Sequence, residues 1–357
     1  MTAGRVLALR ADATARMGTG HVVRCLALAE EAAARGMSPV LLGACEVPWL
    51  TKILAMSPLT LTGAPHAPAD FGRRLRELAP EAVVIDAYHL PEEHYHAAAE
   101  VAPVLAAYDG EVRHARADVL YDQNIGADRT APPSADGAVL LRGPSFAVVR
   151  DDVRVLRPAH PSRRALRWAA TPAPVPKVLL VLGGTDALGA TLALTRALLA
   201  QIPEIHLSVV TMDAAGVRAL AAGPGQRVDV IAPTPALPVA MAGMDLVVSA
   251  AGTTTIELCC LGVAAALIQA VDNQAPVYRG AVSHGCAEGL GVLDEVLARP
   301  AAMAQRVRAL LADPGRRAQL AERAWQTVDG RGRERILDAV DGAFPGPRPP
   351  VQGRKSQ

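Results

Sequence analysis

The amino-acid sequence predicts an α/β protein made of two doubly wound domains that face each other across a cleft. Three observations support this prediction. The chain has 357 residues, which is enough for two domains that each bury a core. Short apolar runs alternate with alanine-rich helical stretches, the pattern of a parallel sheet with crossover helices. A proline-rich segment interrupts this alternation once, and the same pattern then begins again.

The first domain is predicted to span residues 1–153. Its apolar runs are short and are separated by residues of high helix propensity, which favours strands followed by helices. Strands are predicted over 6–9, 39–43, 82–85, 104–107 and 119–121. Helices are predicted over 23–34, 69–79 and 92–102.

The interval 154–176 is predicted to be a linker, because it is polar, punctuated by proline and without periodicity. The second domain is predicted over 177–325. Its strands are expected over 177–182, 206–211, 228–231, 246–249 and 264–269, and its helices over 190–201, 238–244, 255–261 and 273–285. The stretches 301–311 and 315–341 are strongly helical, with a C-terminal helix assigned to 326–342. The proline-rich residues 343–357 are predicted to form a disordered tail.

The composition excludes several classes of function. The 36 basic and 35 acidic residues give a net charge of +1, which argues against a general nucleic-acid binder. No apolar window reaches the roughly 18 residues of a membrane span, and the first residues lack the apolar core of a secretory signal. Five scattered cysteines form no disulfide framework or zinc motif. We therefore expect a cytoplasmic protein with no integral membrane contact, no metal and no cofactor; the oligomeric state stays open.

A glycine turn follows the first predicted strand and opens the first helix. Such a turn lets backbone N–H groups approach a phosphate at the positive helix N-terminus, although a plain turn is the alternative. His21 lies at its mouth and is a candidate general base, because imidazole exchanges protons near neutral pH. Arg24 follows one helical turn later, as a ligand or as a solvated charge. Asp12 could orient a substrate hydroxyl or His21, or cap the loop. The turn reads Gly18-Thr19-Gly20-His21.

Two further glycine turns lie in the second domain. Gly183, Gly184 and Thr185 follow its first strand, either as phosphate donors or as a tight turn capped by the next residue. The densest cluster ends a strand in small residues, turns at a glycine and opens a helix with hydroxyls; it reads Ser249-Ala250-Ala251-Gly252-Thr253-Thr254-Thr255-Ile256-Glu257. Free N–H groups at a helix start suit a diphosphate. Glu257 could accept hydrogen bonds from a ribose diol, or simply favour the helix start.

Polar side chains also follow several other predicted strands. Asp272, Asn273 and Gln274 come after a long apolar run, where burial without partners is costly, so a ligand-facing role is favoured. In the first domain the corresponding residues are Asp86, Tyr88, His89, Asp109, Asp122, Gln123 and Asn124. Each alone could cap a turn. Together they predict a polar rim that faces the cleft.

These blocks, taken in order, resemble the PseG/SpsG family of UDP-2,4-diacetamido-2,4,6-trideoxy-β-L-altropyranose hydrolases. The resemblance covers roughly residues 6–290. It rests on the runs Gly18-Thr19-Gly20-His21-Val22-Val23-Arg24-Cys25-Leu26, Asp122-Gln123-Asn124, Leu141-Arg142-Gly143-Pro144, Gly183-Gly184-Thr185-Asp186, Ser249-Ala250-Ala251-Gly252-Thr253-Thr254-Thr255-Ile256-Glu257 and Asp272-Asn273-Gln274.

The resemblance implies a GT-B-like fold of two Rossmann-like domains, related to the MurG glycosyltransferases. The implied reaction is attack of water on the anomeric carbon of a UDP-sugar, which releases UDP and a free amino or deoxy sugar for nonulosonic-acid or cell-surface and spore-coat polysaccharide biosynthesis. A glycosyltransferase on the same scaffold is the main alternative, and a non-catalytic nucleotide-sugar sensor is another. In either enzyme UDP binds mainly to the second domain.

The resemblance also assigns roles to residues. His21 matches the family's general base, and Asn273 would hold the substrate beside it. Substrate-binding roles fall on Asp12, Gly18, Gly20, Arg24, Asp86 and Tyr88. Nucleotide-binding roles fall on Gly183, Gly184, Thr185, Gly252, Thr253, Thr254, Glu257, Asp272 and Gln274.

Overall fold

The computed structural model describes residues 5–14, 17–109, 116–134, 137–161, 175–183 and 189–343. These residues form two parallel sheets, one of seven and one of six strands, with helices on both faces of each. The predicted fold class is confirmed. Most of the linker (162–174), Gly184, Thr185 and the predicted tail from 344 onward lie outside the described residues, so the domain boundaries stay predictions.

The first sheet contains seven parallel strands in the order β3-β2-β1-β4-β5-β6-β7. The strands are β1 (Val6–Arg10), β2 (Ser38–Leu42), β3 (Thr60–Thr62), β4 (Ala82–Ile85), β5 (Val104–Ala107), β6 (Val119–Asp122) and β7 (Val139–Arg142). The helices are α1 (Gly20–Ala34), α2 (Pro48–Met56), α3 (Pro68–Leu78), α4 (Glu92–Ala99) and the short α5 (Asp151–Arg154).

The second sheet contains six parallel strands in the order β10-β9-β8-β11-β12-β13. The strands are β8 (Lys177–Val181), β9 (Glu204–Val210), β10 (Gly225–Ile231), β11 (Leu246–Ala250), β12 (Ala265–Gln269) and β13 (Glu288–Val292). The helices are α6 (Thr191–Gln201), α7 (Ala214–Arg218), α8 (Leu237–Ala242), α9 (Thr253–Leu261), α10 (Ala275–Ser283), α11 (Leu293–Ala298), α12 (Pro300–Ala312), α13 (Pro314–Thr327) and α14 (Gly332–Ala343).

The strand order reverses at the first strand of each sheet. In the first sheet β1 lies between β2 and β4, and in the second sheet β8 lies between β9 and β11. Loops leave such a reversal point on opposite faces of the sheet and open a crevice at the carboxyl ends of the strands. The two glycine turns singled out in the sequence follow β1 and β8. The topology therefore places both of them at crevices.

Each sheet is buried on both faces by small aliphatic side chains. In the first domain Val22, Leu26 and Ala29 of α1 recur at helical spacing and pack on the core formed by Leu7 and Leu9 of β1. All five are at most 1% exposed. Burial of one leucine side chain stabilises the fold by roughly 1.5–3 kcal/mol. The packing holds the start of α1, and with it His21, in a rigid frame.

The last helix, α14, returns to the first domain. Its Ile336 and Leu337 belong to the core that also contains α1. Arg333, only 3% exposed, pairs with Glu30 of α1 at 2.9 Å. The helix begins at Gly332, six residues later than predicted, because α13 ends at Thr327 and the intervening turn includes Gly330 at φ 77°. The helix α14, which follows the second domain in sequence, thus packs against α1 of the first domain.

Seven elements were absent from the sequence-based prediction: the helices α2, α5, α7 and α11 and the strands β3, β7 and β13. The strand β3 has only three residues, two of them exposed, and forms no apolar run, whereas β7 has a short apolar run that begins with an exposed valine and was not predicted as a strand. The strand β13 contains two glycines, which weaken its strand signal. The helix α2 opens with proline and has no side-chain cap. Among the described residues, no helix is both long and apolar enough to cross a bilayer.

Candidate active site

A cavity of about 410 Å³ lies between the carboxyl ends of the two sheets. Its volume falls within the range of small-ligand pockets. The first domain contributes the loop after β1, the start of α1 and the ends of β4, β5 and β6. The second domain contributes the ends of β8, β11 and β12 and the start of α9. Both domains are therefore needed to form the site.

His21 is held by a buried carboxylate. It lies in the first turn of α1, lines the cavity, and its Nδ1 is 2.7 Å from Oδ1 of Asp86. Asp86 directly follows β4 and is completely buried. Nη2 of Arg24, which can only donate, also lies 3.1 Å from Nδ1. The ionised carboxylate is closer and can only accept, so we assign the proton to Nδ1, which donates it to Oδ1. The lone pair of Nε2 is then the one available to the cavity, which is the arrangement of a general base.

Arg24 keeps Asp86 ionised. Burial by itself raises the pKa of Asp86, but the positive charge of Arg24 and the hydrogen bond from His21 outweigh burial and hold this pKa well below its usual range. Two guanidinium bonds make the contact, from Nε to Oδ2 at 2.7 Å and from Nη2 to Oδ1 at 2.6 Å. Such bidentate pairing fixes the carboxylate in one orientation.

A second carboxylate, Asp109, contacts the other side of the same guanidinium. Nη1 of Arg24 donates to its Oδ1 at 3.1 Å, and Nη2 lies 2.8 Å from its Oδ2. The Tyr88 hydroxyl donates to Oδ2 as well. Burial and the Asp109 charge raise the pKa of Tyr88, so this hydroxyl stays protonated. The Tyr88 ring meets His21 edge to face, with centroids 4.4 Å apart.

The opposite wall is the N-terminus of α9. Its N-cap is Gly252, and Thr253 and Thr254 supply the first N–H groups and two hydroxyls, all of which line the cavity. The N-terminus of α1 faces this point: a Cβ added to Gly20 would lie 2.7 Å from the hydroxyl oxygen of Thr253. Helix N-termini carry partial positive charge and unpaired donors. Two of them meeting at one cavity favour an anion such as a diphosphate.

Glu257 lies one turn into α9 and also lines the cavity. It is buried, with Nη2 of Arg150 at 3.5 Å from Oε1. Burial raises the pKa of Glu257, and the positive charge of Arg150 opposes that rise. Arg150 is itself buried, lies near the end of the predicted first domain and also pairs with Asp152 at 2.8 Å. Glu257 is therefore a carboxylate held by one arginine at the second-domain end of the cavity.

Most residues predicted from the sequence come together here. The cavity is lined by Gly18, Gly20, His21, Arg24, Tyr88, Gly183, Gly252, Thr253, Thr254, Glu257, Asn273 and Gln274. Asp86 lies behind this lining, in contact with His21. Gly184 and Thr185 lie outside the described residues.

Besides Asp86, the predicted residues that do not line the cavity are Asp12, His89, Asp122 and Asp272. Asp12 pairs with Arg10 at 2.6 Å and accepts the Ala44 N–H at 2.7 Å, so it ties the loop after β1 to the loop after β2. These contacts of Asp12 correspond to the loop-capping role that the sequence left open as an alternative. Asp272 is exposed and does not line the cavity, whereas the side-chain oxygen of Gln274, two residues later, accepts the N–H of Ala270 at 2.9 Å.

The predicted polar rim supplies further lining residues, namely Asp109, Gln123 and Asn124. Sequence reasoning missed Arg150, Trp49 and the apolar end of the cavity. Arg150 carries a weak signal, because it follows a buried apolar run just before the linker. Trp49 belongs to α2, which was not predicted. The apolar end is formed by Val181, Leu182, Val210, Pro233 and Leu237, which have no motif of their own.

No protein-family model and no curated protein matches the chain. Solved structures do match it. A crystal structure of MurG from Acinetobacter baumannii superposes with a TM-score of 0.70 at 18% identity, covering 95% of this chain and 99% of that one.

Two further structures match at similar coverage. A UDP-GlcNAc 2-epimerase from Neisseria meningitidis bound to UDP-GlcNAc has a TM-score of 0.62 at 10% identity and covers 94% of this chain and 99% of its own. The glycosyltransferase VinC in complex with dTDP has a TM-score of 0.62 at 16% identity, with 96% and 100% covered. At these identities the likeness concerns the fold, and the chain has the two-domain GT-B fold of its structural neighbours.

Proposed function

We propose that this chain is an enzyme that cleaves a UDP-sugar at its anomeric carbon with water as the acceptor, a nucleotide-sugar hydrolase. The carrying observation is the position of His21. Its Nδ1 is bound to the buried Asp86, and its ring lines the cavity opposite the N-terminus of α9. A base on one wall and an anion-binding helix start on the other are the two groups that displacement of a nucleoside diphosphate requires.

The proposed reaction begins with a water molecule next to Nε2 of His21. Nε2 takes one proton from the water while the water oxygen forms a bond to the anomeric carbon. The bond from that carbon to the diphosphate oxygen breaks, and its electron pair stays on UDP. The imidazolium then returns its proton to solvent. One nucleotide-sugar and one water thus give UDP, one free sugar and one proton, with inversion at the anomeric carbon.

UDP is proposed to lie against the second domain. The N–H groups and hydroxyls of Thr253 and Thr254 would take the diphosphate, whose negative charge grows as the bond breaks. Glu257 would accept hydrogen bonds from the ribose, and the positive charge of Arg150 opposes the rise in its pKa that burial causes. Gly183, Gly184 and Thr185 would donate from the turn after β8. Asn273 and Gln274 would hold the sugar near His21.

The second candidate is a glycosyltransferase, in which a hydroxyl or amine replaces water. Its support is that VinC, which matches over almost the whole chain, is named a glycosyltransferase. The same base and the same nucleotide site serve both reactions, because only the nucleophile differs. The sugar would belong to nonulosonic-acid or cell-surface polysaccharide biosynthesis in either case.

The test incubates the protein with a panel of UDP-, dTDP- and CMP-sugars and measures free nucleotide, first without an acceptor. We expect UDP release that depends on His21 and needs only water. Release that requires an added acceptor alcohol or amine would replace the hydrolase with the transferase. Absence of release under both conditions, together with tight UDP-sugar binding, would indicate a sensor.

A further inference from the structure

Asp109 is a charged residue at the cavity for which the reaction steps above have no use. It follows β5, lines the cavity, and its side chain is 12% exposed. Its backbone has φ 43°, in the left-handed region that residues other than glycine rarely adopt, though Asp and Asn tolerate it best. Strained backbone kept at a cavity indicates a functional constraint on the side chain that the strain positions.

The charge balance around His21 shows what Asp109 adds. Asp86 and Asp109 each carry a negative charge, and Arg24 between them carries one positive charge. Burial by itself lowers the pKa of Arg24, but the two carboxylates outweigh burial and raise it, so the guanidinium stays charged. The three groups together carry −1 while His21 is neutral. When His21 takes a proton, the total charge of these three groups and His21 becomes zero.

No other group facing His21 supplies that charge among the described residues. Burial raises the pKa of the Tyr88 and Tyr121 hydroxyls, so both are neutral. Burial lowers the pKa of His89, which is 3.1 Å from Asp12. Asp12 in turn is paired with Arg10, and their charges cancel.

The helix dipoles act against a protonated imidazole. His21 lies in the first turn of α1, and the N-terminus of α9 faces it, so both nearby helix ends present partial positive charge. An imidazolium there is unfavourable unless a negative charge compensates. Asp86 alone is already neutralised by Arg24.

We propose that Asp109 is the counter-charge for protonated His21, a positioning residue that acts through Arg24 and Tyr88. By taking one face of the Arg24 guanidinium, Asp109 leaves the charge of Asp86 free to stabilise the imidazolium. By accepting from Tyr88, it holds the ring that packs on His21. This inference rests on the proposed role of His21 as the base.

The first test follows the titration of His21 by NMR and needs no turnover. The Cε1–H signal of His21 is the one of nine histidine signals that is lost in His21→Ala. Asparagine tolerates the same backbone conformation as aspartate. In Asp109→Asn we expect the midpoint of the His21 titration to move to lower pH by about one pH unit, the effect of removing one charge at short range. Asp109→Gly removes the same charge without backbone strain and should give the same shift, which covers the case in which Asp109→Asn fails to fold.

Asp118→Asn is the matched control. Asp118 is another strand-flanking carboxylate of the first domain and accepts the backbone N–H of Val104, away from the cavity. In this variant the midpoint of the His21 titration should equal that of the wild type. An unchanged midpoint in both Asp109 variants, or an equal shift in Asp118→Asn, would overturn the proposal.

The second test is the pH profile of kcat. Protonated His21 cannot act as a base, so activity falls on the acidic side. In Asp109→Asn we expect this acidic limb to move to lower pH by the NMR shift, the plateau kcat to fall about tenfold, and KM to stay within a few-fold. Asp109→Glu should return the acidic limb to its wild-type pH, because it restores the negative charge. A fall in the plateau kcat without a shift of the acidic limb would mean that Asp109 has a merely structural role, and it would reject the proposal.

The two proposals fail differently. If the wild type releases no nucleotide from any sugar, the proposed function falls while the NMR result still decides the role of Asp109. If the wild type turns over and His21→Ala does not, but the midpoint stays in place without Asp109, the proposed function stands and this inference alone falls.

Discussion

The two walls of the cleft are built from different chemical groups. The first-domain wall is built on a network of ionisable side chains, in which Arg24 contacts both Asp86 and Asp109 and His21 contacts Asp86. The second-domain wall offers backbone N–H groups and hydroxyls at the start of α9, with Glu257 as its charged residue. Proton transfer needs a side chain with a defined protonation state, whereas an anion can be held by the backbone alone. The first wall should therefore be far more sensitive to single substitutions than the second.

The largest expected effect is the loss of the base. In His21→Ala we expect kcat for nucleotide release to fall about 10²–10⁴-fold, because a positioned general base contributes that much, while UDP affinity stays within a few-fold. Steady-state kinetics and calorimetric titration with UDP measure the two quantities. His96→Ala is the control, since His96 is exposed and pairs with Glu92 of the same helix. Full turnover in His21→Ala would show that His21 is not the general base.

The next effect is on stability. Asp86→Asn leaves Arg24 buried and short of a carboxylate, so we expect the free energy of unfolding at pH 7 to fall by about 3–5 kcal/mol. The folded pKa of Asp86 lies well below its unfolded value, near 3.9. Its contribution is therefore full above that value and is lost as pH falls through the folded pKa. The difference between wild type and variant should narrow below about pH 4 in urea titrations.

The control for this substitution is Asp70→Asn, because Asp70 forms an exposed pair with Arg73. Such pairs contribute at most about 1 kcal/mol. Equal losses in the two variants would contradict the central place given to Asp86.

A smaller effect is expected on the second wall. In Glu257→Gln we expect UDP affinity to weaken about 10–100-fold, because a hydrogen bond to a charged carboxylate contributes roughly 1.5–3 kcal/mol. At saturating substrate kcat should change little. Glu322→Gln on the exposed face of α13 is the matched control. A fall in kcat with unchanged affinity would move Glu257 from nucleotide binding to the chemistry.

The smallest effect concerns the distance between the walls. Gly280 of α10 packs against the backbone of Ile125, and a Cβ at Gly280 would overlap the Ile125 carbonyl oxygen. In Gly280→Ala the two domains must move apart, so we expect kcat/KM to fall about three- to tenfold with a loss of about 1–3 kcal/mol in stability.

Gly342→Ala is the control for this substitution, since nothing lies within 4 Å of the added Cβ. It should leave activity unchanged. Wild-type kinetics in Gly280→Ala would show that the spacing of the walls does not limit the reaction.

Much of the fold could be predicted because its signals are local. The strands β4 and β5 have the predicted bounds, and α6 and α9 differ by one and two residues at their starts. Four-residue apolar runs bounded by polar residues suit a strand buried on both faces. Elements whose stability depends on neighbours were missed. The edge strands β3 and β7 pair with one strand each, and β3 carries no apolar run.

The candidate site was only partly predictable. His21 and Arg24 share a helix face, so their proximity follows from helical spacing. The contact between Arg24 and Asp109 joins residues 85 positions apart, and that between Arg150 and Glu257 joins residues 107 positions apart. Nothing in the local pattern links such pairs.

The sequence by itself determined the class of the protein: two doubly wound domains, glycine turns after the first strand of each, and polar side chains at the strand ends. Period and turn chemistry act over a few residues, so they can be inferred from the chain. Only the tertiary structure decided which strand ends meet, because that depends on sheet order and on how the domains face each other. It buried Asp86 behind His21, opposed two helix starts across one cavity, and placed Asp109 against Arg24 with a strained backbone.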